Sequence, residues 1–531
     1  MVGHVQRRLR DPERAAYVQA LRQHRLLRFA MTFPMTRTAM AVAVTISAAW
    51  LGGATNLAHA APTTSNEASP ACAGDPQAPK HRLGLVSPRL LALNATLCAG
   101  GDTAAFWRDV DVAGTPMIEA VAQDTVTGDE TASLLAQPPG KVSLMTFLWR
   151  GHPKNVRILG APSGDHDDMR QLGNSDVWYR SYVVPDSARL SYQLAPDVPD
   201  IEGTAMERRR AVVKTLQVDP LNRHPFTVEG FDGKRNVKSS VTLPDAPPQP
   251  WIEPRAGIPA GTLQAARFTS KVLGNTRDVY VYRPAGYREN DPSQGLLVVF
   301  DAHAYVNTVP TPVILDNLIA EGRIPRTAAL IVGVIDGSTR GKELPPNPAF
   351  ARFLADELMP WAKAHGVSAP AAHTVVAGSS YGGLASAWAA HEAPQWFGNV
   401  LSQSGSYWWA PSQGDADTRE SGWLIRQYAE GPRLPVKFYL ESGIFEDRRG
   451  PTGIGTSGRH MRDVLRARGY RVTYTSTATG HDYLQWRGSL ACGLMALIGT
   501  PDTQRALQAR PAAADSLAGV CSMPSFGAPA K

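Results

Sequence analysis

The chain has 531 residues, 43% hydrophobic and 19% charged, which describes a globular protein and excludes a disordered or fibrous one. Its length is too great for one ordinary core and implies two domains plus tails. The formal charge of +7 is concentrated at the start. Residues 1–60 hold eight arginines and no lysine against Asp11 and Glu13, so the remainder is nearly neutral and has no basic excess with which to bind nucleic acid.

Those 60 residues read as a targeting segment. "MTFPMTRTAM" is a basic leader, "AVAVTISAAWLGGATNL" an apolar stretch, and Ala58-His59-Ala60 a small-x-small cleavage site. An uncleaved membrane anchor is the competing reading, but the apolar run is short and polar for a bilayer span. Residues 1–30 are too long and Arg-rich for a signal peptide and point to Met31 or Met35 as the start. The mature chain is expected to begin near Ala61, in the periplasm. Export permits disulfides, and sequence proximity favours Cys72–Cys98 and Cys492–Cys521 among the three pairings of four cysteines. Each loop so closed contributes roughly 3 kcal/mol.

Residues 61–80 are a Pro/Ala/Ser linker. From 81 to 245 short β-prone runs dominate: "KVSLMTFLWRG" (141–151), "NVRILGA" (155–161), "VWYRSYVVP" (177–185) and "RLSYQLAP" (189–196), a spacing that suggests an all-β sandwich. One helical stretch, "MERRRAVVKTL", interrupts it, and its arginines read as a solvated face. A Pro-rich linker, 246–256, follows. From 257 to 531 continuous apolar strands alternate with helices: "GLLVVFDAH" (295–303), "AALIVGVID" (328–336), "HTVVAG" (373–378), "GNVLSQSG" (398–405), "VKFYLESG" (436–443) and "RVTYTST" (471–477). That alternation means an α/β fold, a parallel sheet covered on both faces.

In this setting "GSSYG" (378–382) is strand, Gly-x-Ser-x-Gly, helix, the pattern that holds a nucleophilic serine, Ser380, at the tip of a sharp turn. The base must follow the last strand. His481, in "TATGHDYLQWRG", stands there; His303, His373, His391 and His460 compete from less suitable positions. For the orienting acid, the loop after "VKFYLESG" offers Glu446, with Asp447 as substitute, whereas Glu441 lies within the strand. An oxyanion hole would use the N–H of Tyr381 and a second from Ala302 or His303, after "LLVVF".

Several long motifs in order, "VVAGSSYGGLASAW", "NVLSQSGSYWW", "GSTRGKELPPNPAF" and "GHDYLQWRG", together with "FWRDVDVAGTPMIE", "DVWYRSYVVPDSARLSYQLAPD" and "DPLN" (219–222), resemble the enterochelin (enterobactin) esterases over most of residues 85–500. The resemblance implies a β-sandwich that helps shape the site, then an α/β-hydrolase domain carrying Ser380, His481 and an acid near Glu446. It also implies a substrate role for Arg340, and an anionic aromatic ligand suits guanidinium groups and aromatic faces, so Trp408, Trp409, Trp486 and Arg487 join it as pocket candidates. The chain departs from the family at Asp301-Ala302-His303, where a glycine usually follows the aspartate. The implied activity is hydrolysis of a serine-trilactone catecholate siderophore, iron-bound when it arrives, through an acyl-enzyme and without a metal or organic cofactor. An aryl, feruloyl or acetyl carbohydrate esterase and a non-enzymatic periplasmic catecholate-binding protein are the alternatives.

Overall fold

The computed structural model describes residues 87–121, 141–163, 166–411, 421–447, 453–509 and 516–521, all within one compact unit. The targeting segment, the 61–80 linker and Cys72 lie outside these residues. Among the described residues no helix is long and apolar enough to cross a membrane.

The first half is built from short strands because Gly, Pro, Asp and Asn break its β-branched and aromatic runs every few residues. β1 (Met117–Ala120), β2 (Val142–Arg150), β5 (Arg170–Gln171) and β6 (Val177–Pro185) form one antiparallel sheet in the order β1-β2-β6-β5. β3 (Val156–Leu159), β4 (His166–Asp168), β7 (Arg189–Pro196), β8 (Pro225–Glu229) and β9 (Arg235–Thr242) form the other, ordered β4-β3-β7-β9-β8. Strand alternation sends Met145, Phe147, Trp178 and Tyr182 from the first sheet and Ile158, Leu190, Tyr192 and Leu194 from the second into a shared core.

The surroundings of the sandwich differ from the all-β expectation. Helices Pro88–Cys98 and Ala104–Ala113 cover the outer face of the first sheet, where Leu90, Leu93, Phe106, Trp107 and Val110 bury Leu148, Val177 and Tyr179. Their apolar residues recur every three to four positions, and Ser87 caps the first helix by accepting from Leu90 N at 3.2 Å. The helix Ala205–Thr215 opens with a reciprocal Thr204–Glu207 capping box and leaves Arg208, Arg209 and Arg210 exposed.

The second half is one eight-stranded sheet. β10 (Thr262–Ser270) and β11 (Asn275–Arg283) make an edge hairpin, followed in space by β13 (Thr327–Val332), β12 (Gly295–Phe300), β14 (Thr374–Ser379), β15 (Asn399–Gln403), β16 (Lys437–Gly443) and β17 (Arg471–Thr477). Only β11 runs against its neighbours; from β13 to β17 every pairing is parallel. β12 to β15 are buried along their whole length because both faces are covered, Leu296, Val298 and Phe300 by one helical layer, Leu297 and Val299 by the other. The chain order reverses at β12, which sits between β13 and β14. The carboxyl ends of β12 and β14 therefore flank the switch point at which open sheets of this kind bind ligands.

Cys492, in the helix Tyr483–Ile498, is disulfide-bonded to Cys521, in the short helix Leu517–Cys521, 29 positions later. Cys98 is also disulfide-bonded. Closing a loop of that length constrains the unfolded chain, so the double variant Cys492→Ala/Cys521→Ala is expected to lower unfolding stability by about 3 kcal/mol. Urea unfolding under non-reducing conditions checks this; an unchanged midpoint contradicts it.

Candidate active site

Ser380 follows β14 and precedes the helix Tyr381–Glu392, with φ 58° and ψ −121°, a left-handed conformation that residues other than glycine rarely adopt. The turn holds because the chain passes itself closely. A Cβ on Gly378 would stand 2.7 Å from the backbone carbon of Gly382. At Gly383 it would stand 2.6 Å from Ser402 Oγ, so the second tight position lies one residue beyond the Gly-x-Ser-x-Gly pattern. Ser380 N donates to Gln403 O at 2.9 Å and Ser406 N to Ser380 O at 3.1 Å, which ties the elbow to the end of β15. Ser380 Oγ is 3.4 Å from Ser406 Oγ. Tyr381 and Ala302 each begin a helix, where the first N–H groups have no intrahelical acceptor.

Glu446 and His481 meet. The loops after β16 and β17 bring His481 Nδ1 within 2.6 Å of Glu446 Oε1, with the Glu446 side chain 2% exposed and that of His481 39% exposed. The other carboxylate oxygen accepts from Gly443 N at 2.6 Å and Ser404 Oγ at 2.8 Å. Those donors fix its orientation. Asp447 points elsewhere, to Arg459 at 2.7 Å and Thr456 Oγ1 at 3.3 Å. A 3₁₀ turn over Ile444–Glu446 separates the two adjacent acids, sending one inward and one to the helix Ile454–Ala467.

The remaining histidines are engaged away from this carboxylate. His373 faces Pro292 O, His391 stacks on Trp388, and His460 is exposed on its helix. His303 packs against Phe231 with ring centroids 4.2 Å apart and planes tilted by 55°, and burial lowers its pKa and keeps the imidazole neutral.

The pocket candidates divide. Trp408 lies beside Tyr381, rings 6.1 Å apart, at the mouth of the elbow. Trp409 turns its face to Trp423 and the hydrophobic core. Trp486 is 2% exposed; it donates to Ser404 Oγ at 3.2 Å and makes a T-shaped contact with the His481 ring, centroids 4.8 Å apart. Arg487 bonds Gln249 of the Pro-rich linker and lies over Phe226 of the sandwich, and burial lowers its pKa. Arg340 is held by both oxygens of Asp301. Only tertiary packing separates these aromatic and basic side chains, which in sequence all look equally available.

Two known families match the chain: "Enterochelin esterase, N-terminal" over residues 144–252 and "Putative esterase" over residues 270–497. The iron(III) enterobactin esterase of Dickeya dadantii is 30% identical over 440 residues, which cover 76% of this chain and 94% of that one. The chain belongs to the enterobactin esterase family. The iron(III) salmochelin esterase of Escherichia coli O6:H1 is 28% identical, over 74% of this chain and 93% of that protein. The enterobactin esterase of Shigella flexneri, solved in the presence of enterobactin, superposes with a TM-score of 0.56 at 26% identity, covering 74% of this chain and 97% of that one.

Within this enterobactin esterase fold, several side chains at the site were not apparent from the sequence. Phe231, at the tip of the β8–β9 hairpin, is 44% exposed and reaches the His303 loop, anchored there by Glu229, which accepts from Asn307 Nδ2 at 2.9 and 3.0 Å. A phenylalanine in the turn "EGFDGK" is the available signal. Ser404, with φ 49°, has none; it becomes significant only because Glu446 and Trp486 both bond it.

Glu441 lies beneath the site on β16, fully buried, with Ser489 Oγ 2.7 Å from Oε1 and no hydrogen-bond partner for Oε2 among the described residues. Burial, opposed by Ser489 and reinforced by nearby Glu446, pushes its carboxyl from 4.5 up to about 8. The folded protein thus keeps a proton that the unfolded chain releases near pH 4.5. The stability tied to this group is complete below that pH and declines as pH rises to about 8. Glu441→Gln removes the dependence. Its stability relative to wild type is expected to improve on going from about pH 5 to about pH 8.5, measured by urea unfolding at each pH; parallel curves contradict this.

Proposed function

We propose that this protein is a serine esterase that opens the ester bonds of an enterobactin-like catecholate trilactone. Ser380 is the nucleophile, His481 the base and Glu446 the orienting acid. The observation that carries this reading is the 2.6 Å contact of Glu446 with His481, on loops at the same carboxyl end of the sheet as the left-handed Ser380.

In this reading Ser380 Oγ leaves Ser406 for His481 Nε2 and attacks an ester carbonyl of the trilactone. His481 takes the hydroxyl proton while Glu446 holds the Nδ1–H and balances the imidazolium. Negative charge on the carbonyl oxygen faces the Tyr381 and Ala302 N–H groups, each such donor contributing roughly 3–4 kcal/mol to the transition state. As the tetrahedral carbon collapses, the departing serine alkoxide of the lactone takes the proton from His481. Water, deprotonated by His481, then releases the acid and restores Ser380. Methyl in place of the family glycine at Ala302 is compatible with this role, because the donor is backbone.

The substrate is proposed to arrive as its ferric complex. Cutting a hexadentate ligand into weaker fragments favours iron release. Trp408, Tyr381 and Phe231 offer aromatic surface at the mouth for the catechol rings. The short basic leader, apolar stretch and small-x-small site within residues 31–60 support export to the periplasm, so that the siderophore meets the enzyme within the cell envelope.

Incubation with ferric and iron-free enterobactin, followed by mass spectrometry, tests the proposal. Wild type is expected to release linear trimer or smaller units and Ser380→Ala none. Glu446→Gln is expected to lose roughly 10³-fold or more in kcat, with Asp447→Asn within about twofold of wild type. Cleavage of feruloyl esters but not of either siderophore form would overturn the substrate; turnover by Ser380→Ala would overturn the nucleophile.

A further inference from the structure

Asp301, fully buried, ends β12 in the left-handed conformation, φ 61° and ψ 53°. An aspartate before a helix ordinarily turns its carboxylate onto the first N–H groups of that helix. Asp301 does not: it makes no side-chain bond to the helix Ala302–Tyr305. Both its oxygens are taken by Arg340, Nε to Oδ1 and Nη2 to Oδ2, each at 2.7 Å. The same Nη2 lies 3.4 Å from Ser379 O, the carbonyl immediately before the elbow, and the guanidinium lies 6.0 Å from the Tyr381 ring. On the other side, a Cβ on Gly382 would stand 3.4 Å from Asp301 Oδ2, so the carboxylate rests on the first turn after Ser380.

The base of this clamp is itself fixed. Arg340 projects from the short helix Gly337–Glu343, whose last residue, Glu343, is paired in the interior with both terminal nitrogens of Arg277 on β11, at 2.7 and 2.9 Å. Two buried bidentate ion pairs therefore hold one short helix to the sheet and, through Arg340, hold the end of β12 against the end of β14.

We infer that Asp301 and Arg340 are positioning residues that set the Ala302 N–H and the Tyr381 N–H relative to one another. The inference rests on the catalytic reading above. Its physical basis is that an oxyanion hole works only when its donors are already aimed before charge develops. The two donors here belong to segments far apart in sequence, and Arg340, from a third segment, reaches both: it pairs with Asp301 beside the one and lies 3.4 Å from the Ser379 carbonyl beside the other. Arg340 also neutralises a carboxylate that would otherwise repel the oxyanion. With its fork committed to Asp301, the guanidinium is a poor candidate for carrying the anionic substrate.

A positioning role and a substrate-binding role predict opposite outcomes. The test is steady-state kinetics on ferric enterobactin and on p-nitrophenyl acetate, a small uncharged ester that needs the donors but no siderophore pocket. Arg340→Gln and Asp301→Asn are each expected to lower kcat roughly 10²-fold on both esters, with KM changed less than about twofold. Arg340→Lys, which keeps the charge but not the fork, is expected to recover part of the loss. The double variant Asp301→Asn/Arg340→Gln, which leaves no unpaired buried charge, keeps the test open if the single variants fold poorly; it is expected to lose less than the two single losses multiplied. Wild-type rates on p-nitrophenyl acetate in Arg340→Gln or in the double variant, with only the siderophore KM raised, would overturn the inference. Ser380→Ala is the control: turnover there would overturn the catalytic reading instead.

Discussion

The site depends on a contact between the two halves of the chain. Ile444, Phe445 and Ala478, from the loops after β16 and β17, are buried in the core of the β-sandwich. Arg189 N, on sandwich strand β7, donates to Ala478 O at 3.0 Å, and Ser191 N donates to the carboxylate of Asp482. Asp482 in turn caps the helix Tyr483–Ile498 through Leu484 N, and His481 is its neighbour. Loops at the end of a parallel sheet are ordinarily mobile surface segments. Here burial of Ile444 and Phe445 alone is worth about 2–3 kcal/mol each, enough to hold Glu446 and His481 in register. The sandwich thus supports the Glu446–His481 pair, and the helix that follows His481 starts from a cap held by the other half.

Strain is concentrated where that support exists. Five residues other than glycine have positive φ among the described residues, and three of them, Asp301, Ser380 and Ser404, surround the site. Each costs on the order of 1–3 kcal/mol and persists only where the surroundings over-determine it. Ser380 is fixed by bonds to Gln403 and Ser406, Ser404 by Glu446 and Trp486, and Asp301 by Arg340. The polar network reaches further beneath, from Tyr305 OH through Gln403 to Ser489 and Glu441. Polar chains of this kind, in a low-dielectric interior, rigidify what they connect.

Much of this was legible in the sequence. The strands of the second half announce themselves as continuous apolar runs because both their faces are buried, and the expected segments 295–303, 373–378 and 436–443 contain β12, most of β14 and all of β16. Gly378-Ser379-Ser380 was legible because close backbone approach demands glycine at one fixed offset. What stayed hidden is tertiary. Glu446 and Asp447 are adjacent and chemically alike, and only the turn at Ile444–Glu446 decides which faces His481. Arg340 and Asp301 are 39 positions apart, so no local pattern pairs them. Trp409, Trp486 and Arg487 look like pocket residues in sequence, and packing places them against the core, the His481 ring and the linker. The helices over the sandwich escaped because β-prone runs dominate their neighbourhood.

The central claim is a spatial one: a nucleophile at Ser380, flanked by donors from two different loops. The most direct measurement is the crystal structure of the protein after inactivation with a small alkyl phosphonate. Phosphorus is expected on Ser380 Oγ, with a phosphoryl oxygen about 3 Å from the N–H groups of Tyr381 and Ala302 and His481 facing the adduct. Phosphorus on another residue, or on Ser380 with its oxygen turned away from both donors, would contradict the central claim.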